Sequence, residues 1–229
     1  MAPILLKNVL IVEDQQLVRA GMRLMLHIAE PRCVIFEAGS HQEALERLAE
    51  QAFDAVFLDI DLGAGNSGLD TLAYIREQGM MVKVIMLSGS DDPKTVLGCV
   101  AAGASGFITK GHGDETVFER ALATVFADGV FLPASVVGGG YGVKQYRPTE
   151  PRTAGELGLS PRLCEVLYYL CQGLPNKSIA NRMGISEGTV RRDYVSELLK
   201  FFSVARRTEL IVEVARRGIR VLPPPASPV

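Results

Sequence analysis

Four apolar runs in the first half of the chain each stop at a polar residue, which leaves few folds open. Val9–Val12 stops at Glu13 and Asp14, Ala55–Leu58 at Asp59, Val84–Leu87 at Ser88, and Gly106–Thr109 at Lys110. Short apolar runs that alternate with helical periodicity read as strands of a parallel α/β sheet, whose crossover helices cover both faces. Ligands of such an open sheet collect outside the carboxyl ends of its strands. Three carboxylates, a hydroxyl and an ammonium are therefore expected in one small pocket. That donor set suits one hard cation and one transferred phosphoryl group.

The alternation predicts strands at Asn8–Val12, Cys33–Ala38, Ala55–Ile60, Lys83–Leu87 and Ser105–Thr109. Helices are predicted at Gln16–Ile28, Gln42–Gln51, Leu69–Gln78, Pro93–Ala102 and Glu115–Ala127. Leu17, Ala20, Leu24 and Ile28 share one face of the first helix, and Ser40 is placed to cap the second. Five βα units in a row imply a doubly wound, five-stranded parallel sheet with helices on both sides. Turn-forming residues at 138–142 and 148–155 then mark a linker.

The remainder reads as helical. Ser160 is a cap with Pro161 at the first helical position, opening a helix that runs through Gln172 and closes at Gly173. Asn176–Met183, Glu187–Phe202 and Arg207–Arg217 follow, with a tight turn at Gly184–Ser186. The resulting plan is a first domain at 1–128, a linker at 129–158, a second, all-α four-helix domain at 159–222, and a disordered tail at 223–229.

Composition supports two jobs. Residues 1–149 carry 12 Lys and Arg against 18 Asp and Glu, a balance of −6, whereas residues 150–229 carry 12 against 8, a balance of +4. No apolar run approaches the ~18 residues of a membrane span. The N-terminal stretch lacks the basic start of a signal peptide and reads as the lead-in to the first strand. Cys33, Cys99, Cys164 and Cys171 show no paired spacing and read as reduced thiols of a cytoplasmic protein. His27, His41 and His112 are isolated, so no zinc site is visible.

Glu13-Asp14, Asp59, Ser88-Gly89, Phe107 and Lys110 stand in the order and spacing of the receiver domain of two-component response regulators, which residues 8–128 resemble. The resemblance implies the flavodoxin-like receiver fold and assigns roles. Asp59 would accept a phosphoryl group from a sensor histidine kinase. Glu13, Asp14, Asp59 and the backbone carbonyl of Asp61 would hold Mg2+. Lys110 would stabilise charge on the phosphoryl oxygens. Ser88 would swing toward the phosphoryl group, and Phe107 would turn inward into the space it leaves. Gly63 stands where the family often has Pro, and the loop after Asp61 reads one residue longer than usual.

Leu159–Thr208 resembles the helix-turn-helix domain of the NarL/FixJ (LuxR-type) transcription factors, carried by Leu159–Arg162, Glu165–Leu167, Gly173–Val190 and Arg207–Glu209. The resemblance implies double-stranded DNA as a partner and a homodimer when phosphorylated. Val190, Tyr194, Leu198 and Phe201 recur at helical spacing and are expected to pack inward, leaving Arg191, Arg192 and Val195 toward the major groove. Lys177, Ser186, Thr189 and Lys200 are candidates for phosphate contacts. Asp193 departs from the family, which often has His there, and its charge opposes DNA phosphates unless Arg192 or Lys200 pairs with it. Phe202 reads as one residue too many beyond the helix end. The last helix either packs internally or forms a dimer seam.

The chain is thus expected to be a phosphorylation-controlled, DNA-binding regulator and not an enzyme. Two other readings compete. One is a regulator controlled by a ligand or partner without phosphate. The other is a phosphotransferase of the haloacid dehalogenase type, suggested by Asp59-Ile60-Asp61 with Ser88 and Lys110, which leaves Glu13 and Asp14 unexplained.

Overall fold

Five parallel strands, β1 (Asn8–Val12), β2 (Val34–Ala38), β3 (Ala55–Asp59), β4 (Lys83–Ser88) and β5 (Gly106–Thr109), form one sheet in the order β2-β1-β3-β4-β5. They belong to a computed structural model that describes residues 6–63, 65, 67–112, 115–137 and 153–224. Each strand is followed by a helix: α1 (Gln16–Ala29), α2 (His41–Glu50), α3 (Gly68–Glu77), α4 (Pro93–Ala101) and α5 (Glu115–Phe126). The predicted elements are all present, with ends moved by one residue at most.

Period-two alternation sends the strand side chains to opposite faces. Leu10, Val12, Val56, Leu58, Val84 and Met86 meet Ala44 and Leu48 of α2, Leu72 and Ile75 of α3, and Val96 and Val100 of α4. Val9, Ile11, Ala55, Phe57, Ile85 and Leu87 meet Met22 and Leu26 of α1 and Phe118, Ala121, Leu122 and Val125 of α5. The face of α1 shared by Leu17, Leu24 and Ile28 is turned to solvent, with Leu17 87% exposed. Adjacent positions Met22 and Leu26 are buried in its place, because α1 lies against the sheet near the β2 edge. As expected, the Ser40 hydroxyl caps α2 by accepting the Glu43 amide.

The segment read as the start of the linker belongs to the first domain. Phe131 runs parallel to β5, with the Phe107 amide donating to the Phe131 carbonyl at 2.8 Å, and Val130 and Leu132 are buried in the core under α4. A short helix, α6 (Ala134–Val137), follows and touches α4. Ala154, also read as linker, is buried in the second domain, where its amide donates to the Arg220 carbonyl. The glycine-rich part of the linker and the end of the tail lie outside the described residues.

The second domain consists of α7 (Pro161–Cys171), α8 (Asn176–Met183), then α9 (Glu187–Thr189), which continues through a π-helical turn (Val190–Val195) into α10 (Ser196–Phe202), and finally α11 (Arg207–Arg216). The last helix serves two cores. Leu210 and Val214 fill its own domain, while Ile211, with Val212 beside it, is buried among first-domain residues next to α4. Of the two alternatives left open for this helix, internal packing is seen: one face fills its own domain, and the other is covered by the first domain.

A backbone seam completes that contact. The Val130 amide donates to the Gly173 carbonyl at 3.1 Å, and a Cβ on Gly173 would lie 2.1 Å from the Val130 carbonyl oxygen. Arg207 is half-buried beside it and donates to the Leu170 and Leu174 carbonyls; the burial of its guanidinium pushes it down to about 10. Gly173→Ala is expected to part the two domains, seen as a larger radius of gyration in solution scattering. Gly184→Ala is the control: both glycines have positive φ, but Gly184 has open space where its Cβ would be. Each substitution carries the left-handed cost of about 1–2 kcal/mol, so only the seam differs.

Candidate functional site

The carboxyl ends of β1 and β3 lie side by side in the sheet and set the pocket. Glu13 follows β1 and is fully buried, Asp14 next to it is exposed, and Asp59 ends β3 at 1% exposure. One carboxylate oxygen from each lies within 4.8 Å of the others. Lys110, at the end of β5, places its ammonium 2.7 Å from both Glu13 and Asp59. Glu13 also accepts the Gln15 amide, and its own carbonyl accepts from Arg19.

Burial pushes the Glu13 and Asp59 carboxyls above their usual range, against the lowering effect of Lys110. For Lys110 burial acts downward, but hydrogen bonds and charge from Asp59 and Glu13 outweigh it and hold the ammonium high. Asp61 lies at the rim: its amide hydrogen-bonds to Asp59 and its charge raises Asp59. The donor set is all oxygen and anionic, and one ammonium incompletely offsets it, so the residues present fit a hard divalent cation. Gly68, absent from the predicted site, is required there, because a Cβ on it would lie 1.9 Å from the Asp59 carbonyl oxygen.

Ser88 is buried at the end of β4, where its hydroxyl accepts the Ser90 amide at 3.2 Å. Ser90 in turn accepts the Asp92 amide at 3.3 Å, and Asp92 caps α4 by accepting the Thr95 amide at 3.0 Å. A short relay thus joins Ser88 to the N-terminus of the helix that carries α11. The sequence reading missed Ser90 and Asp92, although Asp92-Pro93 is a cap signature. Phe107 is fully buried in the core under α4. A phenyl ring has no polar edge to hold it in water, and burying one gains roughly 1.5–3 kcal/mol.

In the second domain the expected helix-turn-helix is present. Gly184 closes α8 in the left-handed region, and the Ser186 hydroxyl caps α9 by accepting the Thr189 amide at 3.0 Å. Arg191 and Arg192 are exposed, as are Lys177, Ser186 and Lys200, while Thr189 is half-buried. Two inward-outward assignments change. Phe201 is 44% exposed and Phe202 only 1%, and Val195 is half-buried against the domain core.

The π-helical turn explains the exchange of phenylalanines. At 3.6 residues per turn, an uninterrupted helix would set Phe201 about 20° and Phe202 about 120° from the buried Val190. A π-turn absorbs one residue, which moves later positions back by about 100° and sets Phe202 about 20° from Val190, with Leu198 beside it. Val190, Leu198 and Phe202 are the fully buried side chains of this helix. The surplus residue read at Phe202 is thus taken up between Val190 and Val195.

An acidic strand-end pocket with a lysine, joined to a helix-turn-helix domain, defines a receiver coupled to a DNA-binding output. Comparison with known proteins agrees. Residues 9–122 match the response regulator receiver domain, and residues 157–214 match the bacterial regulatory proteins, luxR family. Over 220 residues the chain is 33% identical to the transcriptional regulatory protein LnrK of Bacillus subtilis (strain 168), covering 93% of this chain and 99% of that protein. Over 216 residues it is 32% identical to the nitrate/nitrite response regulator protein NarP of Escherichia coli (strain K12), covering 92% and 96%. The Salmonella typhimurium RcsB response regulator shares the fold, with a TM-score of 0.54 at 22% identity over 90% of this chain and 97% of that one. The chain belongs to the LuxR-type two-component response regulators, which are regulators of transcription.

The pH dependence of the pocket follows from its raised carboxyls. A group whose folded pKa lies above its unfolded one takes up a proton on folding. In a chelator the wild type should therefore gain stability relative to Asp59→Asn as pH falls from neutral through the raised values, and stop gaining at the ordinary carboxylate range. Thermal unfolding of both proteins across that window checks the sign.

Proposed function

We propose that this regulator is switched by phosphorylation of Asp59, with Mg2+ held by Glu13, Asp14, Asp59 and the Asp61 carbonyl. The observation that supports the reading is the near-complete burial of Asp59, grouped with the Glu13 and Asp14 carboxylates and 2.7 Å from the Lys110 ammonium. An Asp59 oxygen forms a bond to phosphorus as the bond from phosphorus to a kinase histidine nitrogen breaks, leaving an acyl phosphate. Lys110 exchanges its bond to Asp59 for one to a phosphoryl oxygen, and bound Mg2+ supplies further neutralisation of phosphoryl charge.

Ser88 reads the new group by donating its hydroxyl proton to a phosphoryl oxygen. Swinging toward that oxygen draws the Ser88 hydroxyl away from the Ser90 amide, and the restraint on the N-terminus of α4 loosens with it. Because α4 carries Ile211 of α11, the change is felt at the joint between domains. The uncovered face of α11 is then free to meet a second copy, and a two-fold dimer matches paired DNA half-sites. The apolar packing of α4 and α11 supports this route, and Phe107 is buried in the same core. The helix that starts at Glu187 would enter the major groove, with Arg191 and Arg192 at base edges and Lys177, Ser186, Thr189 and Lys200 toward phosphates. Val195 is better suited to packing than to DNA contact.

Intact-mass analysis after incubation with acetyl phosphate and Mg2+ is expected to show one added phosphoryl group in the wild type and none in Asp59→Ala; equal labelling of both would sink the assignment. Mg2+ at about 100 times its dissociation constant should stabilise the wild type by about 2.7 kcal/mol, and Asp59→Asn by much less. Ser88→Ala should still be labelled, yet its sedimentation profile should not respond to labelling as that of the wild type does. A Ser88→Ala response equal to the wild type would place the relay elsewhere.

A further inference from the structure

The π-helical turn sits inside the helix assigned to DNA, so its effect on what that helix presents can be followed residue by residue. Arg191, Arg192 and Asp193 are three consecutive exposed side chains, whereas Tyr194 and Val195 are packed against the domain core. The wide turn is braced by side chains: the Ser196 hydroxyl donates to the Arg191 carbonyl at 3.2 Å, and Arg192 Nε to the Gly188 carbonyl at 3.4 Å. In an uninterrupted helix Asp193 would lie only about 60° from the buried Val190, on the flank of the core. The turn holds it out with the two arginines.

Asp193 makes no ion pair among the described residues, and neither Arg192 nor Lys200 approaches it as a partner. An outward carboxylate beside phosphates is repelled, and a hydrogen-bond donor at a base edge would offset that repulsion. The major groove offers two amines. Adenine N6 stands next to the N7 acceptor, which repels a carboxylate, while cytosine N4 has no acceptor beside it on its major-groove edge.

Resting on the reading of this domain as DNA-binding, we propose that the π-turn makes Asp193 a specificity-determining residue that accepts a hydrogen bond from the exocyclic amine of a cytosine. Beside it, Arg191 or Arg192 reads a guanine. The surplus residue of this helix is then a device for placing one acidic reader among basic ones, and an otherwise unfavourable charge becomes a filter against sequences that lack the amine.

Selection of bound duplexes from a randomised pool, using the full-length chain with and without Mg2+ and beryllofluoride, tests this. The wild type should yield a motif with a cytosine at one position adjacent to a guanine. Asp193→Asn should move that position toward adenine, because a carboxamide pairs with adenine N6 and N7, and should lose roughly tenfold or more of the cytosine preference. Deleting Tyr194 keeps Asp193 but restores a regular helix, with Leu198 and Phe202 still aligned on Val190. It should abolish the same preference while leaving a cooperative thermal transition. If Asp193→Asn selects the same motif as the wild type, or tightens binding to all duplexes alike, Asp193 does not read bases and the proposal fails. If the wild type binds no duplex at any salt concentration, the DNA-binding reading falls first, and this one with it.

Discussion

The first domain is organised around one ammonium. Lys110 stands 2.7 Å from two carboxylates that are almost wholly buried, and without it the ends of β1 and β3 would hold uncompensated negative charge in the interior. Breaking such a contact from one side is costly, because the orphaned charge stays buried. Yet a single ammonium cannot neutralise Glu13, Asp14 and Asp59 together, and burial still holds two of these carboxyls above their usual range. That residual imbalance is what makes the pocket responsive. Any charge added at this pocket would act where the medium screens it least.

The response has a short path to the output. The Ser88 hydroxyl, the Ser90 amide and hydroxyl, and the Asp92 cap lie in sequence along one loop, and α4 begins where they end. On the far side of α4 sits α11, shared between two cores through residues on opposite faces. A helix held in this way ties the two domains together through its apolar contact with α4. Small displacements near Ser88 can be amplified at such a joint, because packed interfaces resist partial opening. The backbone seam between Val130 and Gly173 adds a contact that no side-chain substitution elsewhere can replace.

The output helix illustrates a different balance. Its hydrophobic residues must face one core, and a surplus residue in the middle would turn half of them to water. A π-turn stores the surplus at the cost of a distorted hydrogen-bond ladder, and Ser196 and Arg192 bond to carbonyls in and next to that stretch. Packing decides that the distortion occurs, and the exposed side then inherits a wider turn.

Much of this was legible in the chain. The strands and helices followed from apolar period, the caps at Ser40 and Ser160 from residue type, and the convergence of Glu13, Asp14, Asp59 and Lys110 from their places at strand ends. These are local properties, set by the backbone period and by side-chain chemistry within a few residues. Other features were decided only in three dimensions. Leu17 and Leu24 form the helical face their spacing demands, but whether it meets the sheet depends on where α1 lies over β1 and β2. Phe131 extended the sheet edge, and Phe202 displaced Phe201 from the core. A sequence states which residues seek burial and at what period; which apolar surface receives them, and how a helix yields when period and core disagree, is settled by contacts between segments far apart in the chain.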